Sequence, residues 1–92
     1  MTKFKYYKVE NWMVDNLEFK TLTQMTVFAI IYGFKNHEYT GGRNYLATLT
    51  LCDVRTIDRV LDYLVKKEYI FKRIIKRKYG SFRGYTAVKN PN

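Results

Sequence analysis

After Glu68 the hydrophobic period of this chain drops from 3.6 to 2, and that switch limits the available folds more than any other feature. Upstream, apolar residues recur at helical spacing behind capping residues; downstream they alternate between turn signals, so helices come first and a strand pair last. Thr21-Leu-Thr-Gln24 matches a capping box, in which the Thr hydroxyl and the Gln side chain each satisfy an orphan backbone donor. A helix is predicted from Leu22 to about Lys35, and its near-continuous apolar character (Met25, Phe28, Ala29, Ile31, Tyr32) marks it as central and mostly buried. Asn36 to Gly42 is turn chemistry. Asn44 can cap a short second helix, Tyr45 to about Thr50, and Leu51-Cys52 makes a tight connection. Asp53 then caps a third helix whose stripe is Ile57, Val60, Leu61, Leu64 and Val65. Tyr69 to Tyr79 reads as a strand with Ile70 and Ile74 on one face, Tyr79 to Gly84 as a glycine-bounded turn, and Tyr85 to Lys89 as the return strand. At the other end, Phe4 to Val9 suits an edge strand or extended arm, pinned by a brief helical turn at Trp12, Met13 and Leu17.

The expected class is α+β, mostly α, as one domain over residues 1–92: an arm over 1–20, a three-helix core over 21–68 and a hairpin over 69–89. A chain of 92 residues buries roughly 60 to 65 % of the surface its unfolded form exposes, and 47 % hydrophobic content excludes disorder. The longest apolar run, Val27 to Phe34, is far short of the roughly 20 residues a membrane span needs. A lone cysteine, Cys52, forms no internal disulfide and suits a reducing cytoplasm.

Charge is distributed unevenly. Residues 66–92 carry nine basic groups against one acid, whereas residues 1–65 carry eight against seven. A cationic hairpin on a nearly neutral body implies a polyanionic partner met by one face.

Helix, short helix, tight turn, helix and basic hairpin is the order of a winged helix-turn-helix domain. The run Leu46-Ala47, Cys52-Asp53-Val54, Thr56-Ile57, Arg59-Val60-Leu61 and Leu64 resembles the bacterial helix-turn-helix motif of Leu-Ala, Gly-Val-Ser, Thr-Val, Arg-Ala-Leu and a final Leu. Asn11-Trp12-Met13 and Val27 to Phe34 resemble the amino-terminal domains of phage and mobile-element replication initiators, the replisome-organiser and DnaD-like group. The likeness covers roughly residues 6–88. It implies a three-helix core with a two-stranded wing, DNA as ligand, and a role in replication initiation of a phage, plasmid or mobile element, or in transcriptional regulation. Replication proteins and a homodimer, through the arm or through two half-sites, are the partners such a module implies. Two positions depart from the motif. Leu51 and Glu68 stand where the family has glycine, so the turn is expected to be strained or differently wound, and the third helix to run longer or stop through another cap.

On this pattern Val54, Arg55, Thr56, Asp58 and Arg59 would face bases or flanking phosphates from the third helix, Arg pairing with guanine and Asp accepting from the cytosine amine. The competing account is a solvated face with ordinary intrahelical pairs, Arg55 with Asp58 and Asp62 with Lys66. In the wing, Lys66, Lys72, Arg73, Lys76, Arg77, Lys78 and Arg83 would hold the backbone, with Tyr79, Phe82 and Tyr85 interleaved. Those rings also open a second binding mode, stacking on single-stranded DNA; a lysine-protected edge hairpin is the bland alternative. Catalysis draws no support. His37 is alone in a polar loop, Cys52 sits in a turn, and Gly41-Gly42 lacks the Lys of a phosphate loop, so neither enzyme nor cofactor nor metal is expected.

Overall fold

The computed structural model describes residues 8–89. The arm expected over Phe4 to Val9 lies outside them except for its last two positions, and with it the dimer contact assigned to it.

Within the described residues four helices precede and flank a three-stranded antiparallel sheet: α1 (Asn11–Asn16), α2 (Leu22–Tyr32), β1 (Glu38–Tyr39), α3 (Arg43–Thr50), α4 (Val54–Lys66), β2 (Ile70–Arg77) and β3 (Gly80–Ala87). This is the α+β, mostly helical arrangement expected from the period switch. The sheet order is β1-β3-β2. Among the described residues no helix is long and apolar enough to cross a membrane.

Local chemistry explains where α2 and α4 begin. Thr21 Oγ1 accepts from the Gln24 N–H at 3.2 Å, and Gln24 Oε1 accepts from the Lys20 N–H at 2.7 Å, so the return half of the capping box lands one residue upstream of the cap. Asp53 accepts from the Thr56 N–H at 2.7 Å. That bond holds the Asp53 carboxyl below its ordinary pKa.

The expected cap at Asn44 is corrected. α3 starts at Arg43 behind Gly42, whose φ of 87° is open to glycine at no steric cost, and the Tyr39 hydroxyl donates to the Gly42 carbonyl oxygen. The central helix also stops earlier than expected, at Tyr32, because Asn36 and His37 take φ of 59° and 57° and turn the chain into β1. That two-residue strand lies in a segment read as turn; it forms because Tyr39 pairs with Tyr85 and is fully buried. Burial pushes the Tyr39 phenol pKa up.

Both departures from the glycine pattern resolve the same way. Leu51 takes the left-handed conformation (φ 59°, ψ 33°), with the Cys52 N–H donating to the Ala47 oxygen at 3.1 Å. Glu68 has φ 62°, with its own N–H on Val65 O at 2.9 Å and the Tyr69 N–H on Leu64 O at 2.9 Å. These are Schellman closures with a side chain where glycine is usual. The turn is therefore wound as glycine would wind it, under strain, and α4 does not run longer.

The core is formed where α2 meets α4 and the root of the hairpin. Val27, Phe28, Ile31, Leu46, Ile57, Leu64 and Ile70 are all fully buried. Trp12 on α1 packs edge-on against Phe28 and Tyr32, with ring centroids 6.0 and 5.3 Å apart, so the six-residue α1 is anchored by one large aromatic. Tyr32, expected inside, is half-buried at the margin, as is Phe34. The segment before α2 is tied to the end of α4: the Tyr63 hydroxyl donates to Glu18 O at 2.8 Å and Lys67 Nζ lies 2.9 Å from Glu18 Oε1. Each partner of that ion pair stabilises the other's charged form, lowering the Glu18 pKa and raising that of Lys67.

Candidate nucleic-acid interface

The β2–β3 hairpin, the expected wing, is longer and its turn tighter than the sequence suggested. β2 and β3 pair from Ile70↔Ala87 to Arg77↔Gly80, so only Lys78 and Tyr79 remain in the connection. The segment read as a turn over Tyr79 to Gly84 is mostly strand. Gly84 belongs to it for a packing reason: a Cβ there would lie 3.0 Å from Ile75 Cδ1 and 3.4 Å from Glu38 Oε2.

Register sorts the wing's cations. Directly opposed residues of an antiparallel pair share a face, and side chains alternate along each strand. One face therefore carries Ile70, Lys72, Ile74, Lys76, Ser81, Arg83, Tyr85 and Ala87. Its inner end, Ile70 with Tyr85 and Ala87, is buried in the core, and its outer end projects past the body. Ile74 shares that face as expected but remains exposed, because the hairpin has left the helices by then. The other face carries Phe71, Arg73, Ile75, Arg77 and Phe82. There Arg73 forms an ion pair with Glu38 on β1, and the Arg77 guanidinium lies 5.1 Å from the Phe82 ring centroid.

The core-side face looks across a cleft of about 650 Å³ at α4, lined among others by Arg43, Asp58, Asp62, Lys66, Lys72 and Arg83. Four of these six are cations. Arg55, Arg59 and Lys66 fall within about 40° of one another on the helical wheel, at 100° per residue, and form an exposed ridge of which Lys66 lines the cleft. Thus Lys66, Lys72 and Arg83 line one concave surface, Lys76 shares the hairpin face of Lys72 and Arg83, and Arg73 and Arg77 are on the opposite hairpin face. Val54 and Thr56 are half-buried at the start of α4. The Thr56 N–H is engaged by the cap, so what Thr56 offers is its side chain.

Asp58 is engaged within the protein itself. Its Oδ2 accepts from Arg43 Nη1 at 2.6 Å, a bond that bridges α3 and α4. Neither of the intrahelical pairs weighed from sequence, Arg55 with Asp58 or Asp62 with Lys66, forms among the described residues. Arg43 is the residue that sequence reasoning missed. A cation at the first position of a helix opposes the helix dipole at a cost of about 0.3 to 1 kcal/mol, which is the signal that sets it apart.

The wing's aromatics divide in three. Tyr85 is buried at 7 % exposure and belongs to the core, Phe82 is half-buried beneath Arg77, and Tyr79 stands 91 % exposed at the tip. His37 stacks on Tyr32 at 3.9 Å and shares a 2.6 Å bond between Nδ1 and the Tyr32 oxygen, and Cys52 lies beside Thr23 and Thr50, so both sit in structural contacts. Among the described residues no group of three or more His, Cys, Asp or Glu side chains is arranged to hold a metal ion.

Compared with protein-family models, with curated proteins and with solved structures, the chain matches none.

Proposed function

We propose that this chain is a winged helix-turn-helix DNA-binding module in which α4 enters the major groove of duplex DNA and the β2–β3 wing holds the backbone. The observation that carries the proposal is the cleft: Lys66 of α4 and Lys72 and Arg83 of the hairpin line one concavity, with Arg55 and Arg59 near Lys66 on the helical wheel and Lys76 on the same hairpin face as Lys72, an arrangement that suits a single duplex. The helix order and the β1-β3-β2 sheet, with a short strand between α2 and α3, support the winged-helix assignment. Phosphate contacts from the wing position the module, and base contacts from Arg55 and Arg59 select sequence. The resemblance noted in the sequence points this module toward replication initiation of a phage, plasmid or mobile element; transcriptional regulation would use the same module.

The test is selection from random duplex DNA, followed by anisotropy titration of the enriched and scrambled duplexes. An enriched motif is expected whose preference is lost in Arg55→Ala or Arg59→Ala, while Lys72→Ala weakens all duplexes alike. The proposal fails if neither duplex nor single strand binds below about 10 μM at 50 mM salt, where even non-specific cationic binders register.

A further inference from the structure

Resting on the DNA-binding proposal, we infer that the wing tip is a separate site for an unpaired nucleobase, so that the preferred ligand is a junction between duplex and single strand. The tip holds the most exposed aromatic ring of the described residues: Tyr79, at 91 % exposure, in a connection of two residues. A tyrosine buries 150 Å² or more when covered, so a ring 91 % exposed in a two-residue turn contributes little to folding. The tip is also far from the core. From Arg73, opposite the last buried position of β3, to Arg77 the strand makes four steps of about 3.4 Å, about 14 Å in all.

Around the ring the tip has what a nucleotide needs. A shallow concavity of about 570 Å³ is lined by Arg77, Lys78, Tyr79, Gly80, Ser81 and Phe82. Lys78 Nζ lies 5.6 Å from the Tyr79 ring centroid. Gly80, at φ 143°, has no side chain, and a Cβ placed there would meet nothing within 4 Å, so the space beside Gly80 is open. An exposed ring for a base and two cations for its phosphates are the constituents of a single-strand stacking site. A fully paired duplex offers its bases only edge-on in a groove, whereas at a fork the first unpaired base exposes a whole face. The core-side face and α4 would hold the duplex, and the tip would meet the strand that leaves it.

The experiment uses a labelled fork, a 20-base-pair duplex with two non-complementary single-stranded arms, carrying 2-aminopurine at the first unpaired position of one arm. Competitors are the unlabelled fork and a relaxed closed circular duplex, which has no ends. Wild type is expected to prefer the fork over the circle by at least about fivefold per nucleotide, and to quench the 2-aminopurine, in line with the stabilisation one stacked base supplies. Tyr79→Ala should lose the preference and the quenching while binding the circle within about twofold of wild type; Tyr79→Phe should keep both. Because Tyr79 is exposed, both variants should melt like wild type. No fork preference in wild type, or a preference and quenching that survive Tyr79→Ala, overturns the inference while circle binding leaves the DNA-binding proposal standing. Absence of binding to either DNA overturns both.

Discussion

The two faces of the wing make a prediction about salt that charge counting alone does not. Each cation that neutralises a phosphate releases condensed counterions and adds about −0.9 to the slope of log K against log salt. If every wing cation counted equally, six residues, Lys72, Arg73, Lys76, Arg77, Lys78 and Arg83, would give about −5. The register divides them. Lys72 and Lys76 share the face that looks at α4, whereas Arg73 is on the opposite face and paired with Glu38. Lys72→Ala combined with Lys76→Ala should therefore flatten the slope by about 1.8, and Arg73→Ala by about zero. Between 50 and 200 mM salt a slope change of 1.8 corresponds to about a twelvefold smaller loss of affinity, well outside titration error.

The assay is anisotropy on one long duplex at four or more salt concentrations, on wild type and both variants. All three side chains are exposed, so truncation should not disturb the core. The exposed Arg73–Glu38 pair contributes at most about 1 kcal/mol to stability, and a thermal melt checks that the variant stays folded. Equal flattening by Arg73→Ala and by the double variant would refute the two-faced wing, as would a double variant whose slope moves by less than about 0.5.

Three further outcomes are expected. Leu51 holds a left-handed backbone at 92 % exposure, so Leu51→Gly removes about 1 to 2 kcal/mol of strain against about 0.4 to 1 of unfolded-chain entropy, a mid-range net of about 0.8 kcal/mol, and the melting temperature should rise by about 3–6 °C. Asp58→Asn removes an acid from the cleft and weakens the hold on Arg43, so affinity for scrambled duplex should rise several-fold while discrimination for the selected site falls, measured by anisotropy titration of the enriched and scrambled duplexes. Asp53 has a folded pKa below its unfolded value, so its stabilising contribution is whole above about pH 4 and is lost as pH falls through the folded value. Urea midpoints against pH should show that acid loss in wild type and a flatter profile in Asp53→Asn, which still caps but does not titrate.

What the sequence disclosed is what short-range chemistry encodes. The caps of α2 and α4 are side chains bonding a few residues away, and the stripe from Ile57 to Leu64 names its own buried face, so both helices were legible. β1 was not, since two residues have no period and Tyr39 becomes a strand residue only because Tyr85 arrives from the far end of the chain. The start of α3 was misread for a related reason: Asn44 is the better cap by its own chemistry, but the Tyr39 hydroxyl holds Gly42 at the cap position. The glycines of the hairpin read locally as the bounds of a loop. Gly84 is instead where Ile75 and Glu38 close over a strand, a tertiary contact with no local signature. At the candidate interface the cations were legible from composition, whereas their division between two faces required the register.

The register also explains why acids stand in the cleft of so basic a protein. With Lys66, Lys72, Arg83 and Arg43 around it, a cleft without Asp58 and Asp62 would attract any phosphate backbone and hold all sequences alike. Asp58 engages Arg43 in the free protein, so a backbone phosphate has to displace a carboxylate before it gains that cation. On the proposed function, once Arg43 turns to a phosphate, the released carboxylate becomes an acceptor for a cytosine amine, and only DNA with that base in reach recovers what the exchange costs. Discrimination then depends on Arg43 and Asp58 acting as a pair, one on α3 and one on α4, and the general attraction of the wing can stay high without making the module indifferent to sequence.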